Sequence, residues 1–234
     1  MLRHRRTKQV ALDFRKRTRD GSVAKKPGRK PTGKRRDPRH RTRPQVLAHH
    51  PVHVVLRTSA DVGNLRRRHA YRAIRGAIGR AAARSDYRVV HISIQANHVH
   101  LLVEADDKRA LSRGMQGFAI SAARRLNREL GRRRGNVFAF RYHATPITSP
   151  TQARNAISYI LNNWRHHRQD SASRWPLDPF SSAHAFAHWK RPHHQSPPRE
   201  PLPVVAAESW LLVEGWQRAG PIDVRDVPGP DPRP

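Results

Sequence analysis

Asn97-His98-Val99-His100-Leu101-Leu102 sets two imidazoles on either side of one aliphatic residue inside a hydrophobic run. On a β-strand successive side chains point to opposite faces, so His98 and His100 share a face while Val99 enters a core. A strand can present two metal ligands in this way. Just upstream, Tyr87 to Gln95 alternates like a second strand, and the break at Gln95-Ala96-Asn97 suits a hairpin or a bulge. Further out, His53 to Arg57 has strand composition, and Asn64 to Arg84 reads as a helix on the spacing of Ile74, Ile78 and Ala81. Downstream, Lys108 to Leu130 carries one apolar stripe (Leu111, Met115, Phe118, Ala122, Leu126) and stops at Gly131. Val137 to Ile147 is strand-like until Pro146, and a last helix runs from Ser149 or Thr151 to about His167. The order β α β β α β α predicts an α+β fold. Its first six elements match a ferredoxin-like split βαβ core, an antiparallel sheet with helices on one face, and the C-terminal helix is an addition.

Composition narrows the partner. The 234 residues hold 47 Lys or Arg against 17 Asp or Glu, a net charge of +30, and sixteen histidines besides. An excess of this size implies a polyanion, most commonly nucleic acid. No apolar run is long enough to span a membrane and no signal-peptide pattern is present, so the chain reads as soluble, intracellular and nucleoid-associated, with no membrane partner. The absence of cysteine leaves His, Asn, Gln or carboxylates as the only metal ligands.

Charge also sets the organisation. Residues 1–45 hold eighteen Lys or Arg against Asp13, Asp20 and Asp37, half the net charge, together with four prolines and few apolar residues. Such a segment buries too little surface to offset its ordering entropy and is expected to be a disordered basic arm. Residues 46–168 form the expected catalytic domain. Residues 169–234 form a proline-rich tail with a short apolar helix near 208–217.

In the last helix, Ile157, Ile160, Leu161 and Trp164 make the face that a globular helix buries. Tyr159 and Asn163 lie one turn apart on another side, so they present a phenol and an amide oxygen together. A phenol can attack phosphorus once deprotonated, but its free pKa near 10 makes it weak at neutral pH. A divalent cation helps by polarising the phosphate and neutralising charge in the transition state. His98, His100 and the Asn163 oxygen would make a three-ligand site. Nitrogen and oxygen ligands without thiolate fit magnesium or manganese, and zinc is compatible. Arg141, Arg154, Arg165 and Arg168 are the candidate nucleic-acid-binding residues.

His98-Val99-His100 resembles the His-hydrophobe-His signature of the single-tyrosine HUH transposases. Tyr159-Ile160-Leu161-Asn162-Asn163 is similar to their tyrosine helix, in which an Asn or Gln four residues after the tyrosine completes the metal site. The likeness runs from about His53 to His167, and the nearest groups are the REP-associated tyrosine transposases and the insertion-sequence-200-like transposases. It implies a metal-dependent enzyme of DNA transposition that nicks and rejoins single-stranded or hairpin DNA. In that chemistry the tyrosine, here Tyr159, forms a 5′-phosphotyrosine link and releases a 3′-hydroxyl. Asn163, where many mobile members carry Gln, places the chain nearer the REP-associated group. Relatives that swap the tyrosine helix act as dimers and the REP-associated kind as monomers; the short loop from Ile147 to Thr151 favours action within one chain. Tyr142, preceded by Arg141, is a second phenol to be weighed against Tyr159. The alternative function is a domesticated, non-catalytic DNA-binding protein on the same fold.

Overall fold

The computed structural model describes residues 45–81, 84–131, 135–171, 173–191 and 199–228. The basic arm of residues 1–45 lies, but for its last residue, outside them. Strands β1 (Val52–Arg57), β2 (Tyr87–Ile94), β3 (His98–Ala105) and β4 (His143–Pro146) form one sheet in the order β2-β3-β1-β4. Every neighbouring pair is antiparallel. Helices α1 (Arg68–Ala81) and α2 (Lys108–Glu129) connect β1 to β2 and β3 to β4, which completes the split βαβ core expected from the element order.

Alternation along the strands divides the interior into two cores. Val52, Val54 and Leu56 of β1 and Val99, Leu101 and Val103 of β3 pack with Ile74 and Ile78 of α1 and Met115 and Phe118 of α2. The opposite face of the sheet is covered by α3 (Pro150–His166), whose Ile157, Ile160 and Leu161 pack with Leu102 and Val90. The helix added to the six-element core therefore lies across the sheet from α1 and α2. A β-bulge between Val89 and His91 allows this two-sided use of β2: Tyr87 and Val89, then Ile92 and Ile94, face the first core, while Val90 faces the second.

Helix ends follow local chemistry. Asp107 caps α2 by accepting from the Ala110 N–H at 2.6 Å, and Gly131, at φ 66°, takes the left-handed conformation just past its end. Ser149 caps α3 by accepting from Gln152 N–H, Pro150 fills the first turn, and Gln152 Oε1 accepts in return from Thr148 N–H at 2.8 Å.

Two boundaries differ from the sequence expectation. The helix begins at Arg68 rather than Asn64, because Asn64 Oδ1 takes the Arg66 N–H at 2.8 Å and the Leu65 N–H is given to Ala96 O. The strand expected over 137–147 is confined to His143–Pro146, with Phe138 making only an isolated bridge to Thr58.

Beyond α3 the chain packs back onto the body. The Glu104 carboxylate, 4 % exposed, accepts from the backbone N–H groups of Glu208 and Ser209 at 3.0 and 2.8 Å. This fixes the start of a short helix, α4 (Trp210–Val213), and a 3-10 turn, Gly215–Ala219, whose Leu211, Leu212 and Trp216 join the second core. Trp210 stays exposed.

Two glycines of α2 separate packing from helix propensity. A Cβ on Gly114 would come within 2.3 Å of the Tyr87 ring, whereas one on Gly117 meets nothing within 4 Å. Gly114→Ala is expected to lower unfolding free energy by about 1–3 kcal/mol. Gly117→Ala is expected to raise it by up to about 1 kcal/mol, both read from urea midpoints.

Candidate active site

The site forms on the sheet face that α3 covers. In the β1–β3 register Val55 lies opposite His100 and Arg57 opposite His98, so His53, Val55, Arg57, His98 and His100 share one face. Val99 is buried in the core beneath, as the alternation requires. His98 and His100 have ring centroids 4.7 Å apart. His53 Nε2 lies 3.0 Å from His100 Nδ1.

These contacts fix which nitrogens stay available. His98 Nδ1 is 2.7 Å from Asn97 Oδ1; an amide oxygen only accepts, so Nδ1 carries the proton and Nε2 keeps its lone pair. His100 engages His53 through Nδ1, leaving Nε2 buried without a hydrogen-bond partner among the described residues. Holding one ring nitrogen by a neighbour while the other faces a ligand is the usual support of a metal-binding histidine.

The helix α3 meets the histidines at two heights. The Tyr159 ring lies 5.2 Å from His100 and 5.7 Å from His53, and the His167 ring lies 5.4 Å from His98. Asn163 is one turn from each, between two residues that already touch the histidine pair. It is fully buried, and both its amide oxygen and its amide nitrogen lack partners among the described residues. Buried amides are nearly always satisfied, so an orphaned carboxamide on the helix turn between Tyr159 and His167, with an orphaned His100 nitrogen on the facing sheet, suits a cation held by His98, His100 and Asn163. Among the described residues no three His, Cys, Asp or Glu side chains gather as a metal site; the third ligand fitted here is an amide.

Electrostatics keeps the histidines neutral. Burial lowers His100 to about 2, helped by His53, His98 and His167. Burial lowers His53 and His98 to about 4 as well, with His143 adding to the first and His167 and Arg57 to the second. Burial raises the Tyr159 phenol above its ordinary value. Beside it opens a cavity of about 520 Å³ lined by Arg154, Asn155, Ser158, Tyr159 and the segment from Asp226 to Pro228.

The remaining sequence candidates separate. Tyr142 packs against the α1–α2 core, on the other side of the sheet from Tyr159. Arg154 and Arg165 are turned into the C-terminal segment: Arg154 binds Asp226 and Pro221 O, each at 2.8 Å, and Arg165 binds Asp170, Val224 O and Pro176 O. Both guanidinium groups therefore bond to the chain's own C-terminal segment, while Arg154 also lines the cavity beside Tyr159. Arg141 and Arg168 are exposed, Arg168 at φ 52° just past α3. Sequence reasoning missed His53 and His167. An imidazole in the apolar β1 strand, in phase with its outward positions, was the available signal for His53.

With the geometry in place, comparison identifies the family. The model of the IS200-like transposases matches residues 47–163, half of the chain, and the chain belongs to that family, which is one of enzymes acting on DNA. Among solved structures, the REP-associated tyrosine transposase bound to a REP hairpin superposes with a TM-score of 0.50 at 16 % identity, over 62 % of this chain and 83 % of that one. A crystal structure of a transposase from Deinococcus radiodurans R1 matches with a TM-score of 0.37 at 16 % identity, over 51 % of this chain and 92 % of that one. Among curated proteins there is no match. Among the described residues no helix is long and apolar enough to cross a membrane.

Burial depresses five histidines, His167 among them, and the four lowered to about 4 or further, His53, His91, His98 and His100, make stability depend on pH most strongly. Their folded pKa values lie below the unfolded 6.5, so the unfolded chain takes up protons first on acidification. Their contribution is complete above pH 6.5, falls through pH 4, and for His100 continues towards pH 2. Denaturant midpoints should already drop between pH 6.5 and 5, before carboxylates protonate; a flat profile there would contradict neutral burial.

Proposed function

We propose that this transposase cleaves and rejoins single-stranded or hairpin DNA, with Tyr159 as nucleophile and a divalent cation, magnesium or manganese, held by His98, His100 and Asn163. The observation that carries this reading is the co-location of the Tyr159 ring with the histidine pair, and one turn further along α3 a buried amide with no partner. A cation bound there supplies polarisation of the scissile phosphate and lowers the cost of ionising a neighbouring phenol.

The chain's own residues do the rest. His53 holds His100 and Asn97 holds His98, so both imidazoles present Nε2 with little freedom to turn. The phenol oxygen of Tyr159 attacks phosphorus, the bond to the 3′-oxygen breaks, and the 5′-phosphate remains on Tyr159 while a 3′-hydroxyl leaves. Because the new ester keeps the energy of the old one, attack by another 3′-hydroxyl reverses the step and joins strands without a nucleotide cofactor. The cavity beside Tyr159 gives a nucleotide access to the phenol. The likeness to a fold solved with a REP hairpin supports hairpin-bearing DNA as substrate. The charge of +30 supports strong, salt-dependent attraction to its phosphates. The packing of α3 on its own sheet supports action within one chain. We read residues 46–168 as the catalytic domain, residues 1–45 as a basic arm and residues 169–234 as an appended segment.

The test is a covalent protein–DNA adduct on hairpin-bearing single-stranded DNA with manganese or magnesium. Wild type and Tyr142→Phe should form it, EDTA should abolish it, and Tyr159→Phe should form none. His100→Ala and Asn163→Ala should each lower the rate by at least about 10- to 100-fold. An undiminished adduct from Tyr159→Phe, or none from wild type, sinks the assignment and leaves a DNA-binding protein without strand transfer.

A further inference from the structure

The last turn of α3 serves two sites. Asn163 belongs to the one just described, while the next residue, Trp164, lines an open cleft of about 470 Å³ that also includes Arg66, Gln169, Arg174, Trp175, Phe180 and Arg199. Most of these residues follow position 163 and so lie beyond the region that the family model matches. The cleft is close to the histidines. The charge of Arg66 reaches His167, whose ring packs on His98, and the Leu65 N–H binds Ala96 O just ahead of the His98 strand.

One wall of the cleft is fixed by a buried ion pair. Arg66 is locked to the fully buried Asp178 by two hydrogen bonds, at 2.8 and 3.0 Å, and to Ile94 O. The Asp178 carboxylate also accepts from Phe180 N–H. The Phe180 ring is approached by the guanidinium groups of both Arg66 and Arg199, at 4.5 and 4.4 Å. Arg174 lies 5.0 Å from the half-buried Trp175 ring. Among the described residues Arg174 and Arg199 take part in no ion pair with a carboxylate. Gln169 Oε1 is shut off from solvent and accepts no hydrogen bond from the described residues.

An aromatic plane, two guanidinium groups held against rings and not by carboxylates, and a lone amide acceptor are what a nucleotide requires. A base stacks by its π-face whatever its sequence, its edge offers an N–H, and its phosphates take arginine. We infer that this cleft binds one nucleobase of the single-stranded DNA beside the cleavage site, stacked on Trp175, with Gln169 Oε1 accepting from its edge and Arg174 and Arg199 on adjacent phosphates. This rests on the proposed function for what the strand is, but not on the cleavage chemistry.

The experiment therefore runs without metal. The full chain, in EDTA, is irradiated with a single-stranded oligodeoxynucleotide of about twenty residues carrying 5-iodouracil, a base that photocrosslinks to a stacked aromatic ring, and the crosslinked peptide is sequenced by mass spectrometry. The peptide containing Trp175 should carry the crosslink. Trp175→Ala should weaken binding about five- to tenfold with an unchanged salt dependence, and Trp175→Phe should restore most of it. Arg174→Ala should instead reduce the slope of log affinity against log salt by about one. Gln169→Ala, which keeps the indole, should weaken binding about threefold and serves if Trp175→Ala fails to fold. Crosslinks only elsewhere, together with wild-type affinity in Trp175→Ala and Gln169→Ala, overturn the cleft while phosphotyrosine formation leaves the catalytic reading standing. Crosslinking at Trp175 without any phosphotyrosine adduct supports the cleft and overturns the catalysis.

Discussion

The pairing register between β1 and β3 is the constraint on which the site depends. With His100 opposite Val55 and His98 opposite Arg57, the three imidazoles of His53, His98 and His100 emerge on one face while Val54, Val99 and Leu101 fill the other. A slip of one residue in either strand would move its histidines into the α1–α2 core and expose its valines to α3. The apolar residues therefore hold the register, and the register places the histidines. The β2 bulge belongs to the same arrangement, since it lets that strand contribute to both cores without disturbing β3.

That face is costly to build and chemically useful for the same reason. Three adjacent imidazolium ions in a chain of net charge +30 would repel one another and every nearby arginine. Desolvation under α3 settles the matter by keeping all three rings neutral well below neutral pH. A neutral imidazole keeps a lone pair, which a cation needs and a proton would take. The burial that raises the Tyr159 phenol acts the other way and makes it a poor nucleophile unaided. One environment thus keeps the imidazole lone pairs and holds the phenol proton, and in the reaction proposed above a cation placed between them would relieve both costs.

Much of this was legible in the sequence. Two-residue alternation located Val99 in the core and paired His98 with His100, and helical spacing put Tyr159 and Asn163 on one side of α3, because both rest on backbone periods that tertiary structure does not alter. The Ser149 cap and the Gly131 stop were equally local. The rest depended on relations between distant segments. His53 supports His100 only through cross-strand pairing, and His167 reaches His98 only because α3 crosses the sheet. Asn64 looked helical until its side chain was seen taking the Arg66 N–H. The arginines of α3 were the least legible, since one sequence is compatible with a guanidinium turned to solvent or turned to its own chain.

The partners of those arginines explain how α3 is held. The site needs a helix and a sheet fixed relative to each other to within a fraction of an ångström, yet a single apolar stripe constrains sliding poorly. On its far side α3 is gripped by the segment after the 3-10 turn. Arg154 takes Asp226 and Pro221 O, Asn162 takes Asp223 O, and Arg165 takes Val224 O. These directional bonds lie one above another along the helix and flank Tyr159 and Asn163 in sequence. They also show that Arg154 and Arg165 share their charge with the chain's own carboxylates, Asp226 and Asp170. The net charge measures long-range attraction to DNA, whereas the surface that touches phosphate must be read from the cations left unpaired.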